Sequence, residues 1–246
     1  MTEPLITATD VTLGFGEENL LEGQSFEIAR GEIFAILGRS GCGKSALLRV
    51  LIGLNEPKAG SVAIAGVGPP RLEVVRPSYG VMFQSGALFG SMTVGENIAM
   101  SLTEWTDLPK AAIDAIVRAK LRLVGLEGTE HMVPPELSGG MTKRAAIARA
   151  MALEPSLIFL DEPSAGLDPV SAAELDELIL TLSSGLGLTV VLVTHDLPSI
   201  FKIAARCILL SRETKSIIGR GDPRALRDAS GPDEVHQFFN RTTEHA

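Results

Sequence analysis

An apolar run, Phe34-Ala35-Ile36-Leu37, leads directly into Gly38-Arg39-Ser40-Gly41-Cys42-Gly43-Lys44-Ser45, and Ala46 to Ile52 then follows a helical pattern stopped by Gly53. A glycine, four residues and then Gly-Lys-Ser, set between a strand and a helix, is the phosphate-binding loop in the setting it requires. This segment narrows the fold more than any other, because the loop belongs to a buried strand behind it and a helix in front. Its glycines let backbone N–H groups turn inward around anionic phosphates, and the helix adds the positive end of its dipole. Lys44 is expected to reach the β- and γ-phosphates of a nucleotide, and the Ser45 hydroxyl to ligate Mg²⁺. The plainer alternative is a glycine-rich turn that only caps a helix. Cys42, inside the loop, is expected to pack rather than to do redox chemistry.

Two further apolar runs, Leu157-Ile158-Phe159-Leu160 and Val190-Val191-Leu192-Val193, read as strands buried on both faces. That is the habit of a parallel sheet covered by helices. Val170 to Leu182, ending near Gly185, is a helical pattern between them, so strand and helix alternate and an α/β core is expected. The start of the chain differs. Thr7 to Phe15 and Leu20 to Ile28 are β-rich and joined by Gly16-Glu17-Glu18-Asn19, and Ser61 to Ala65 alternates as a short strand. These predict an antiparallel sheet beside the core. From Leu88 to about Leu153 strand signals give way to helical patterns, at Lys110 to Val124 and Met141 to Leu153. The expected organisation is one domain over residues 1–246: a core of 1–87 and 154–229, a helical subdomain inserted at 88–153, and a tail from 230 to 246.

Composition sharpens the class. Apolar residues make up 45% of the 246 residues and the mean hydropathy is positive, which raises the question of a membrane span. The longest unbroken apolar run, Ile33 to Leu37, is five residues, whereas a spanning helix needs about twenty. Met1-Thr2-Glu3-Pro4 lacks the basic start and apolar stretch of a signal peptide. The net charge of −8 argues against nucleic acid as a partner, since phosphate backbones call for a basic surface. Cys42 and Cys207 form no metal-ligand spacing and read as two free thiols.

Leu157 to Leu160 ends in Asp161-Glu162. In a phosphate-loop protein the first acid suits the Mg²⁺ shell, and the second, pointing the other way, suits a general base that polarises the attacking water. Such an acidic pair is also a common solvated strand end. Leu137-Ser138-Gly139-Gly140-Met141 supplies a second anion site: Ser138 as N-cap and two glycines exposing N–H groups where a helix begins.

The ordered set of Gly38 to Ser45, Gln84, Leu137 to Gly140, Leu157 to Asp161, Glu162, Ser164-Ala165-Gly166-Leu167-Asp168 and His195 resembles the ATP-binding subunit of ABC transporters over about residues 5 to 220. The resemblance implies a P-loop NTPase (RecA-like) α/β core with an N-terminal antiparallel β-subdomain and an inserted α-helical subdomain. It implies ATP and Mg²⁺ as ligands, with Phe15 stacking on adenine where tyrosine is the commoner residue. Gly38, Arg39, Ser40, Gly41, Cys42, Gly43, Lys44 and Ser45 would wrap the phosphates, and Ser45, Gln84 and Asp161 would serve the metal. Glu162, His195, Gln84 and Lys44 would carry hydrolysis. In this family two cassettes pack head to tail, so Ser138, Gly139 and Gly140 would meet the ATP of a partner copy, and Asp168 would lie at the contact between subunits.

Leu137 to Ala150 (LSGGMTKRAAIARA), Met82 to Phe89 with Met92 to Ile98, and Val235-His236-Gln237-Phe238-Phe239 are similar to the ATPases of Mla/Mce-type lipid transporters. That implies phospholipid trafficking, a separate membrane permease, an Mce-type substrate-binding protein and a small accessory subunit, with the ATPase held on the cytoplasmic face of the inner membrane. Ala87, Leu88, Phe89, Met92, Val94 and Ile98 are then expected to divide between the packing of the helical subdomain and a groove for a permease helix. Another cargo, such as an amino acid, and a soluble non-transport ATPase of the same family remain open alternatives.

Overall fold

The computed structural model describes residues 3–70, 77–228 and 233–240. Met1, Thr2 and much of the expected tail (230–232 and 241–246) lie outside the described residues. The N-terminal pair β1 (Pro4–Phe15) and β2 (Glu18–Ala29) is antiparallel, and the turn is tighter than the sequence suggested: Glu18 and Asn19 already pair with Phe15 and Gly14. β3 (Ile33–Gly38) runs into the phosphate loop and α1 (Lys44–Leu51). β4 (Ala59–Ile64) returns to β1, completing a three-stranded sheet of order β2-β1-β4.

The chain enters the helical region after β5 (Gly80–Met82), through α2 (Val94–Trp105), α3 (Lys110–Leu123) and α4 (Gly139–Ala150). It then alternates: β6 (Leu157–Asp161), α5 (Pro169–Leu186), β7 (Thr189–Val193), α6 (Leu197–Ile203) and β8 (Arg206–Ser211). β9 (Ser216–Gly221), α7 (Pro223–Asp228) and α8 (Asp233–Asn240) close the described chain. The second sheet has order β5-β6-β7-β3-β8-β9, parallel except for the antiparallel β8–β9 hairpin at its edge. α5 passes through Gly185 and stops only at Gly187, whose left-handed φ of 64° ends it.

β3 is buried at every position, and its side chains alternate between two cores. Ala35 and Leu37 join the cluster that also holds Ile158, Leu160, Leu192 and the apolar faces of α2, α3 and α4. Phe34 and Ile36 join Phe159, Val191 and Val193 in a cluster packed by α1 and the antiparallel sheet. The period of two thus fixes both layers from one strand. The inserted helices have no core of their own. α4 lies so close to β5 that a Cβ at Gly80 would stand 2.1 Å from the carbonyl oxygen of Ala150.

Both cysteines are buried and free, and burial pushes the Cys207 thiol up to about 12. Among the described residues no helix is long and apolar enough to cross a membrane.

Candidate functional site

Parallel strands align their carboxyl ends, where ligands of open α/β sheets bind. Ile36 of β3 and Asp161 of β6 both sit opposite Val193 of β7, so the segments after these three strands emerge side by side. They carry the phosphate loop, Asp161-Glu162 and His195.

The loop is shaped by glycine. Gly38 has φ 150°, and a Cβ there would meet the Cys42 sulfur at 2.4 Å and the Leu210 oxygen at 2.8 Å. Cys42 is therefore a packing residue that fills the hollow under the loop. Gly43, at φ 103°, begins α1 with no side-chain cap, so its helix start is left to a ligand. Lys44 is buried, and its Nζ donates to the carbonyls of Gly38 and Arg39 at 2.8 and 3.2 Å. Its charge is thus held by the loop that would surround phosphate. Arg39, Ser40 and Ser45 are exposed.

Asp161 ends β6 with its Oδ1 buried and without a hydrogen-bond partner. Burial, and next the Glu162 charge, raise its carboxyl above the usual range; Arg49, Lys44 and Lys143 oppose that shift. An orphaned carboxylate oxygen, with an exposed hydroxyl at Ser45 next to the Lys44 whose charge acts on it, fits a hard divalent cation whose remaining ligands are phosphate oxygens and water. The residues present therefore fit Mg²⁺, with Gln84 as a further oxygen donor on the exposed segment after β5.

Glu162 adopts φ 48°, a left-handed conformation that costs a non-glycine residue on the order of 1–3 kcal/mol. Its N–H donates to Val193 O at 2.8 Å, which anchors the turn to β7. Its Oε1 lies 2.8 Å from His195 Nδ1, pairing a largely buried carboxylate with an exposed imidazole. An ionised Glu162 places the shared proton on Nδ1 and leaves Oε2 available to a water. Both residues line a cleft of about 520 Å³ with Gly166, Leu167 and Asp176.

Ser138 caps α4, its Oγ accepting from Met141 N at 3.3 Å, and it is exposed together with Gly139. Gly139 faces Leu167 and Gly140 faces Ser171, whereas the phosphate loop is walled by Leu13, Leu20, Leu210 and Arg212. The described contacts thus bring Lys44, Asp161, Glu162 and His195 together, while Gly139 and Gly140 pack against Leu167 and Ser171. Asp168 has a role within its own chain as well: it caps α5, accepting from the N–H groups of Val170 and Ser171 and from the Ser171 hydroxyl. The Ser171 hydroxyl, with the backbone donors, holds its carboxyl below the usual range. Phe15 stands exposed at the end of β1.

Three positioning residues escaped the sequence reading. Asn97, fully buried on α2, donates to the carbonyls of Phe89, Met92 and Thr93 and accepts from Phe89 N, fixing the chain after Gln84. Lys143 and Arg149 of α4 donate to the carbonyls of Gln84, Gly86 and Ala87. A polar side chain at a position that the helical pattern assigns to the core was the available signal.

Of the apolar residues expected to divide between core and groove, Val94 and Ile98 are buried, and Leu88 packs partly against the same core. Ala87 and exposed Phe89 line a groove of about 470 Å³ with Tyr79, Phe83, Met100 and Arg149.

A family model described as "ABC transporter" matches residues 21–165. The chain is 42% identical over 241 residues to the intermembrane phospholipid transport system ATP-binding protein MlaF of Escherichia coli strain K12, covering 96% of this chain and 88% of that protein. It is 40% identical over 240 residues to the probable ribonucleotide transport ATP-binding protein mkl of Mycobacterium leprae, covering 96% of this chain and 68% of that protein. Among solved structures, it superposes at TM-score 0.78 and 29% identity on a dimeric ATP-binding cassette in a post-hydrolysis state with ADP and Pi, covering 88% of this chain and 98% of that one. A second neighbour, cbiO1 of Clostridium perfringens, part of the ABC transporter complex cbiONQ, gives 0.83 at 27% identity, covering 97% and 95%.

Proposed function

This chain belongs to the ATP-hydrolysing subunits of the ABC transporter family, and from that premise we propose that it powers phospholipid movement through a separate membrane permease. The observation that carries the hydrolytic part is the convergence of buried Lys44, orphaned Asp161 and the Glu162–His195 pair at the carboxyl ends of neighbouring strands.

In this reading the loop N–H groups and Lys44 bind the phosphates, exchanging the loop carbonyls for a stronger anionic partner. Phe15 lies under the adenine. Ser45, Asp161 and Gln84 hold Mg²⁺, which neutralises charge on the β- and γ-phosphates when bound. Glu162 takes the proton of the attacking water through Oε2, and His195, bonded to Oε1, orients that carboxylate and faces the γ-phosphate. Ser138, Gly139 and Gly140 turn outward to a second copy, each closing the other's ATP site in an isologous pair.

The groove beside Phe83, Phe89 and Met100 receives a helix of the permease. The cassette is thereby held at the cytoplasmic face of the inner membrane, in a complex that includes an Mce-type lipid-binding protein and a small accessory subunit.

The lipid cargo is supported by the likeness to MlaF across 88% of that protein's length. The name of the mycobacterial relative supports a second reading, a ribonucleotide cargo. Co-reconstitution with the permease that copurifies after mild detergent extraction decides between them. Phospholipid should stimulate ATP hydrolysis and move between vesicles, and stimulation by non-adenine ribonucleotides alone would overturn the lipid reading.

A further inference from the structure

Lys143 is buried in the middle of α4, on a stretch that otherwise buries Ala145, Ala146, Ile147 and Ala148. Burying an ammonium is unfavourable unless its surroundings compensate. Here the compensation is specific. Its Nζ donates to the main-chain oxygen of Gln84 at 2.5 Å. Burial pushes its ammonium below the usual lysine range, and the charges of Glu162 and Asp161 oppose that push. In turn, Lys143 is one of the cations that oppose the upward push on the Asp161 carboxyl.

Farther along α4, Arg149 donates to Ala87 O at 2.5 Å and Gly86 O at 3.2 Å. A single helix therefore grips three carbonyls of the four-residue segment 84–87, while its N-terminus at Ser138 is exposed. The charges of Glu162 and Asp161 bear on Lys143, whereas burial is what acts on Arg149.

We propose that Lys143 is a positioning residue for ATP hydrolysis: its ammonium locks the main chain at Gln84 against Asp161 and Glu162, holding the Gln84 side chain, the acid pair and the outward-facing start of α4 in one frame. A neutral donor at this position would still tether the Gln84 carbonyl but would leave two carboxylates unbalanced. An apolar residue would do neither. The inference rests on the hydrolytic reading and is independent of the cargo.

Lys143→Met, Lys143→Gln and Lys143→Arg would be compared with wild type as full chains, by steady-state ATPase, equilibrium nucleotide binding and thermal unfolding. Lys143→Met is expected to lower kcat about tenfold to a hundredfold, the scale of a misplaced catalytic group. Nucleotide affinity measured without Mg²⁺ should stay within about twofold, because Lys44 and the loop N–H groups that bind the phosphates are not displaced. Lys143→Arg should recover kcat to within about threefold, since it restores both charge and donor. Lys143→Gln should fall between, separating tether from charge.

The proposal is overturned if Lys143→Met keeps kcat within about twofold of wild type. A kcat loss matched by equal losses of affinity and thermal stability in both Met and Gln variants overturns it as well, since that pattern marks general damage to α4. Should Lys143→Met fail to fold, Lys143→Gln decides: reduced kcat at unchanged affinity supports the proposal, and wild-type kcat rejects it. A wild-type chain without ATPase activity would instead strike at the hydrolytic reading itself.

Discussion

Two helices in this chain begin with the same chemistry and are used differently. α1 and α4 each start from glycines that leave N–H groups free. The α1 start is enclosed: Gly38 closes over Cys42, Lys44 is buried within the loop, and Asp161 brings an unpartnered oxygen to the same place. The α4 start is open, with Ser138 and Gly139 exposed and no basic side chain in its first turn. An enclosed start with its own cation can bind a polyanion alone. An open start without one can only complete a site whose charge is supplied elsewhere. The difference teaches that the geometry of a helix terminus is not a binding site until its surroundings are counted.

The largest effect should come from the enclosed start. Lys44→Ala removes its only buried cation and should cut ATP hydrolysis by about 10³-fold, the scale for losing a preorganised charge donor. Near-normal turnover in a phosphate-release assay would erase the distinction between the two starts. Glu162→Gln comes next. It keeps the volume but removes the base, so hydrolysis should fall by about 10²-fold or more. ATP should still bind, and the subunits should accumulate as a dimer. A variant that stays monomeric with ATP, even within its native complex, would break the head-to-tail assignment.

Ser138→Arg tests the open start. Hydrolysis by the assembled protein should fall by about 10²-fold, while ATP binding by the single chain should be unchanged. If the isolated chain loses ATP binding, α4 belongs to its own site and the comparison fails. The smallest effect belongs to a third helix start with a purely structural cap. Thr93 and Glu96 satisfy each other's N–H groups at the start of α2 in a reciprocal capping box. Thr93→Ala should lower stability by about 1 kcal/mol in chemical denaturation. The kcat of the folded fraction should not change, and a loss there would show that this cap also has a functional load.

Much of the core was legible because its signals are local. Phe34 to Leu37, Leu157 to Leu160 and Val190 to Val193 are apolar runs too short for helices, and each became a strand of the parallel sheet. The β8–β9 hairpin was not read. Cys207 to Leu210 is another four-residue apolar run, and periodicity by itself does not separate a buried strand from a buried helix. β5 spans only Gly80–Met82, and its identity comes from pairing with β6 rather than from its own residues.

Within the site, Lys44 stood out from its strand–loop–helix context, and Asp161 and Glu162 as an acid pair ending a buried strand. The left-handed turn at Glu162 and its bond to His195, 33 residues away, were not, since no local pattern encodes that approach.

Residue type and spacing carried the chemical expectations: a glycine-rich loop with free N–H groups, a lysine at its end, paired carboxylates after a strand and a cap at Ser138. Those properties follow from residue type and spacing along a strand or a helix. Only the tertiary structure decided which of them share one place. It set Lys44, Asp161, Glu162 and His195 at the carboxyl ends of neighbouring strands, left Ser138 exposed, and brought Lys143 to the main chain at Gln84. The physical reason is that strand order and helix packing, which join residues far apart in the chain, are set by the burial of whole faces and not by any short motif.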